Sequence, residues 1–158
     1  MIENQVDKKE QQQRSWLDLL AMVLAFFTAI ISFLGALVTY LTQAQIPEAP
    51  LWPLPGLVLV DWVLLGSIGF FAVYLCFRHT SVKWLLLAWF ITGTLIPLII
   101  LGAFSIGLAV LIAFFLFVIS TIILTIRQKG KWINSFAWLM LGSICNLGIL
   151  FIIITLSQ

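Results

Sequence analysis

The sequence predicts an all-α integral membrane protein, a bundle of five transmembrane helices with its amino terminus in the cytoplasm and its carboxyl terminus on the outer side. Three observations lead there. Of the 158 residues, 63% are hydrophobic and only 9% charged, against roughly 25% charged in soluble domains. The apolar residues fall in runs long enough to cross a hydrocarbon core. All eight lysines and arginines lie in three clusters that a five-span path places on one side.

Residues 1–15 are polar and mixed in charge, and read as a cytoplasmic tail. Glu10 and Arg14 are four apart and suit a short helix. Ser15-Trp16-Leu17-Asp18 has the form of a capping box, which would start the first span at Ser15. That span covers 16–42, about 40 Å of helix, so it tilts or protrudes from a core of about 30 Å. It is too long for a signal-peptide apolar region, and its leader is not cleanly positive. Residues 43–55 hold four of the five prolines and form a loop, because proline removes backbone donors. Pro47, Pro50 and Pro53 repeat at the polyproline II period, and the reading favoured for them is a stiff connector.

The second span covers 56–77. After the polar turn at 78–83, no charge occurs from Trp84 to Ile126. One helix of that length would measure about 63 Å, twice the bilayer core, so the chain must fold back. Gly102 and Gly107 bracket the natural turn. The third and fourth spans are then 84–101 and 105–126, and the fifth is 132–156. One domain, 1–158, is expected.

Orientation follows from charge. Lys8, Lys9 and Arg14 precede the first span, Arg78 and Lys83 join the second to the third, and Arg127, Lys129 and Lys131 join the fourth to the fifth. Positive residues collect on the cytoplasmic side of short loops. A single crossing over 84–126 would put the Arg78 and Arg127 clusters on opposite faces; two crossings bring them together. Trp16, Trp84 and Trp132 begin spans beside basic clusters, and Trp52 with Tyr40 marks the other face, the headgroup positions tryptophan and tyrosine prefer. Trp62, Trp89 and Trp138 sit deeper and are expected to pack against neighbours. The plasma membrane is the expected location.

Small residues let helix backbones approach in lipid. Ala21, Ala25 and Ala29 recur every four residues, extended by Ser32 and Ala36, and predict the packing face of the first helix. Gly66 with Gly69 and Gly142 with Ser143 are weaker candidates.

Chemistry is sparse. Asp61 is the one acid placed well inside a span. If its helix starts near Leu54, Asp61 lies about 10 Å deep and must protonate or pair. If the helix enters nearer Val60, Asp61 and Trp62 form an interfacial pair instead. Pro97 cannot donate to the Gly93 carbonyl, so that carbonyl needs another partner. Matching depths puts Gly35 and Thr39 of the first helix, Thr94 of the third and Asn146 of the fifth at related levels, and Asp61, Thr94, the Gly93 carbonyl and Asn146 are expected to form a candidate site for a proton, a cation or a polar headgroup. The alternative for Thr94 and Asn146 is interhelical hydrogen bonding.

Cys76 and Cys145 fall at different depths and read as small apolar residues rather than a disulfide. His79 stands alone, so neither a metal site nor a cofactor is expected. No catalytic motif is present, and no enzyme is expected. Nor is nucleic acid expected as a partner, given the small net charge of +2. The expected partners are the lipid bilayer and a membrane protein or further copies of the chain. The leading expectation is an accessory, assembly or scaffold subunit acting through helix contacts. A transporter or channel component using Asp61 comes second, and a membrane sensor or lipid-binding protein third.

Overall fold

A computed structural model describes residues 3–46, 56–79, 81–102 and 107–156, with side chains from Trp16 onward. Trp52, the three evenly spaced prolines and Glu48 lie outside the described residues. The five helices are α1 (Glu3–Ala44), α2 (Gly56–His79), α3 (Val82–Gly102), α4 (Gly107–Arg127) and α5 (Trp132–Leu156). All five are long and apolar enough to cross a membrane.

The boundaries follow local chemistry. Charged and polar residues end α2 and α4, and α3 ends on Gly102 with α4 starting on Gly107. The turn after α4 is tight. The Gly130 amide bonds the Thr125 carbonyl at 3.0 Å and the Lys129 amide bonds that of Ile126 at 3.3 Å. Lys129 takes the left-handed conformation (φ 50°) that this kind of helix ending requires. Gly130 then packs under Leu85 at the start of α3.

One boundary differs from the sequence reading. The helix does not begin at Ser15 but runs unbroken from Glu3. Ser15 is an interior helical residue with no first turn to cap. The acidic, basic and glutamine residues before it are good helix formers, and the membrane span beneath them, 16–44, supplies a nucleus on which they extend.

The first four helices form a ring. Each packs on the next, α4 closes back onto α1, and α2 and α4 barely touch across the middle. The fifth helix lies outside this ring, packed extensively on α3 and meeting α2 only at its margin. Burial follows this plan: 61% of the membrane-spanning part of α3 is buried, against 17% for α5.

Small residues bring the ring helices together, because side chains cannot intervene where backbones approach. Ala21, Ala25, Ser32 and Ala36 are buried on α1, with Ala29 partly buried. Two bonds tie this face to α4. Ser120 donates to the Ala21 carbonyl at 2.8 Å, and Thr28 donates to its own helix at Leu24 (3.0 Å) and to the Ala113 carbonyl at 3.4 Å. On α2, Gly66 seats Ser32 and Gly69 seats Phe117 and Ile91. Trp62 is fully buried, its ring lying on Gly35 of α1.

Candidate functional site

Both ends of the bundle carry buried polar groups. At the end where the described basic residues gather, Arg127 closes α4 beside the first membrane turn of α1. Its Nε lies 2.7 Å from Oδ1 of Asp18, and only 17% and 7% of the two side chains are exposed. The guanidinium also sits over Phe77 of α2, 5.8 Å from the ring centre. Next to it, the Gln128 amide donates to Cys76 Sγ at 2.9 Å and reaches the Cys76 carbonyl at 3.5 Å. Arg127 at the end of α4 and Gln128 just after it thus clamp the start of α1 and the end of α2. The sequence reading assigned Asp18 to the capping box. Depth would have found the pair, since Asp18 is one turn into the first span and Arg127 ends the fourth.

The second polar group lies toward the opposite end, where α2, α3 and α5 meet. Asn146 is 1% exposed and donates its amide to the Thr94 carbonyl at 2.6 Å. The Asp61 carboxyl stands beside the Asn146 side chain, and Asp61 itself is half-buried. Of the residues that depth had grouped, Asp61, Thr94 and Asn146 are therefore neighbours, whereas Gly35 lies against Trp62 and Thr39 donates to the Gly35 carbonyl of its own helix at 2.8 Å; two further corrections apply. The carbonyl that receives Asn146 is that of Thr94, one residue beyond the Gly93 carbonyl expected from Pro97. The Thr94 hydroxyl turns back to its own helix and donates to Ile91 at 2.6 Å, so it is not offered to the layer. Trp62 does not share the outward direction of Asp61: it points into the ring, on the far side of α2 from α5. Successive residues on a helix diverge by about 100°, which sends Trp62 toward α1 and Asp61 toward α5.

Asp61 Oδ2 and Asn146 Oδ1 are covered and have no hydrogen-bond partner among the described residues. Buried polar atoms are nearly always hydrogen-bonded, so each such exception carries information. Among the described residues Asp61 has no basic partner.

No protein-family model matches the chain, and no curated protein or solved structure matches it either. The site is therefore read from its own geometry.

The remaining tryptophans divide by depth. Trp89 is 7% exposed, donates to Thr125 at 2.8 Å and meets the Trp132 ring edge-on. Trp16 and Trp132 are exposed and Trp84 is half-buried. Trp138, expected among the packed tryptophans, meets Phe90 on one side but remains exposed on the other. The cause is the position of α5: outside the ring, it has one neighbour rather than two. Between α1 and α2 an open apolar groove of about 280 Å³ is lined by Phe33, Tyr40, Val60 and neighbouring residues; Asp61 does not reach it.

Proposed function

We propose that this chain is an assembly or scaffold subunit of a membrane complex, and that the outer face of α5 is where its partner docks. One observation carries the reading. Gly35, Gly66, Gly69, Gly93, Gly130 and Gly142 each lie against a residue from another part of the chain, whereas Gly148 has nothing within 4 Å of where a side chain would start. In lipid a small residue serves close helix approach. Gly148 is a notch of that kind on a face where α5 meets no helix of its own chain. Around it Ile144, Leu147 and Ile152 are more than half exposed, which fits a helix left to pack on something else.

Orientation belongs to the same proposal. The basic end faces the cytoplasm and the carboxyl terminus faces outward, on the strength of the positive-inside rule. A carboxyl-terminal reporter active only in the cytoplasm should stay silent, and strong activity would reverse the assignment.

The docking face is tested by a photoreactive residue placed at Ile144, with Leu34 on the exposed side of α1 for comparison. The expected result is one discrete protein adduct from Ile144, lost in Gly148→Leu, and none from Leu34. Lipid adducts alone from both positions would overturn the reading. A second reading, an oligomeric transporter or channel component using Asp61, is favoured by the layer of Asp61, Asn146 and Thr94.

A further inference from the structure

We propose that the α2–α3 and α4–α5 turns at the basic end form one docking platform for a membrane phospholipid carrying two phosphates, with the headgroup held between the turns. All eight basic residues lie at this end, together with Glu3, Asp7, Glu10 and Asp18. Within residues 3–15 the three acids are matched by Lys8, Lys9 and Arg14, and Asp18 is held by Arg127 at 2.7 Å. Four positive charges remain, and all of them are on the two turns. Arg78 and Lys83 belong to the α2–α3 turn, Lys129 and Lys131 to the α4–α5 turn. Each is exposed, and none has an ion-pair partner among the described residues.

The fold joins these turns to one another. Gln128 donates to Cys76 Sγ at 2.9 Å, two residues before Arg78. Gly130 lies under Leu85, whose Cδ2 is 2.9 Å from where a side chain on Gly130 would start. Lys129 and Lys131 flank that glycine, and Lys83 stands two residues before that leucine. Trp132, next after Lys131, meets Trp89 of α3 edge-on, with ring centres 6.4 Å apart. Three separate contacts thus hold the two pairs of cations as neighbours. Basic pockets between membrane helices on the cytoplasmic side bind phospholipid headgroups. Two cations on each turn match a ligand with two phosphates, whereas one phosphodiester would engage a single turn.

The surroundings favour an amphipathic ligand over a soluble phosphate. Val82, Trp132 and Ile133 are more than half exposed, Ile133 at 84%, and each stands within two residues of Lys83 or Lys131. A phosphate ion gains nothing from that apolar border. A lipid sets its glycerol and upper acyl carbons there, at the level tryptophan prefers. Beneath the α4–α5 turn, those two helices pack on α3 and scarcely on each other, so the space between them is open to acyl chains. This site rests on the bundle crossing a bilayer. It is separate from the α5 docking face, because Ile144 lies about three turns along α5 from Ile133.

The test is native mass spectrometry of the full chain released from mild detergent, with diphosphatidylglycerol, phosphatidylglycerol and phosphatidylcholine offered at equal concentration. Retention in detergent does not depend on which side the basic end faces. One diphosphatidylglycerol should be retained per chain, more strongly than either single-phosphate lipid. Lys83→Gln and Lys129→Gln, one from each turn, should each weaken that retention about fivefold, and together about 25-fold. The preference over phosphatidylglycerol should fall in both variants, which a difference in acyl chains alone would not produce. Equal retention of diphosphatidylglycerol and phosphatidylglycerol by the wild-type protein would overturn the proposal, and that outcome needs no variant to fold. A Lys83→Gln protein that retains diphosphatidylglycerol as the wild type does would overturn it too, since the ligand would not span both turns. Displacement of the lipid by an equal concentration of inorganic pyrophosphate would show a site for soluble phosphates and overturn it equally.

Discussion

Gly93 and Gly142 face one another across the crossing of α3 and α5, each closed off by the other helix's backbone. A side chain on Gly93 would run into the Leu139 carbonyl, and one on Gly142 into the carbonyl of Phe90. The contact is reciprocal and involves main chain on both sides, so neither helix can yield by changing a rotamer. It is the principal attachment of α5, whose buried residues (Ser135, Gly142, Asn146 and Leu150) form one stripe.

Alanine at either glycine should therefore be costly. Overpacking typically costs about 1–3 kcal/mol, and the upper part of that range applies where backbone must move. Gly93→Ala and Gly142→Ala should each lower the unfolding midpoint in mixed micelles. Combined, they should cost less than the sum, because the first already parts the helices. Additive effects would show that the two positions do not share one crossing. Gly148→Ala provides the contrast and should leave monomer stability nearly unchanged, since nothing lies near it.

The contrast between α1 and α5 explains how much of the bundle is legible in sequence. The α1 face repeats small residues every four positions, a pattern contained within one helix. The number of long apolar helices was legible too, because the uncharged stretch from Trp84 to Ile126 is too long for one crossing and its bracketing glycines mark the turn. The α3–α5 crossing is different: Gly93 has no small-residue repeat around it, and its meaning depends on a glycine 49 positions away along the chain. Likewise, depth grouped Asp61, Thr94 and Asn146, but it could not say that Thr94 contributes its carbonyl rather than its hydroxyl. That α5 lies outside the ring is a matter of which helices pair, and five similarly apolar spans carry no label for it.

The Asp18–Arg127 pair predicts an asymmetric response to mutation. Removing one member of a buried pair strands the other charge, at about 3–5 kcal/mol when burial is complete. Here Arg127 retains some exposure, so about 2–3 kcal/mol is expected for Asp18→Ala. Arg127→Met together with Asp18→Leu removes both charges and should recover much of that loss. Denaturant titration of the two singles and the double measures it. A double variant no better than Asp18→Ala would show that the pair does more than neutralise itself, through the Arg127 contact with Phe77.

Trp62 and Gly35 make a lock between α2 and α1. The tryptophan is fully buried and its ring tip occupies the space a side chain at Gly35 would need. Trp62→Ala should cost about 3–5 kcal/mol, the range for emptying a large buried aromatic site. Gly35→Leu should also destabilise, by overfilling the same site. The combination Gly35→Leu with Trp62→Ala restores volume and should be more stable than either single variant. Thermal unfolding of the three proteins decides it. Failure of the double to recover would mean that the tryptophan ring, rather than filled volume, is what the site requires.

Lys129 offers a stabilising change. It holds a left-handed conformation (φ 50°) that costs a residue with a side chain roughly 1 kcal/mol relative to glycine. The hydrogen bonds that enforce it, from Lys129 and Gly130 back into the last turn of α4, are made by backbone and survive substitution. Lys129→Gly should therefore raise stability by up to about 0.5 kcal/mol, after allowing for glycine's greater freedom when unfolded. Lys129→Ala should give no gain, and Lys129→Val should lose about 1 kcal/mol, because branching at Cβ makes this conformation harder to reach. Topology should not change, since Arg127 and Lys131 keep the turn basic. A Lys129→Gly protein that melts below the wild type would mean that the lysine side chain, not its backbone angle, sets the balance at this turn.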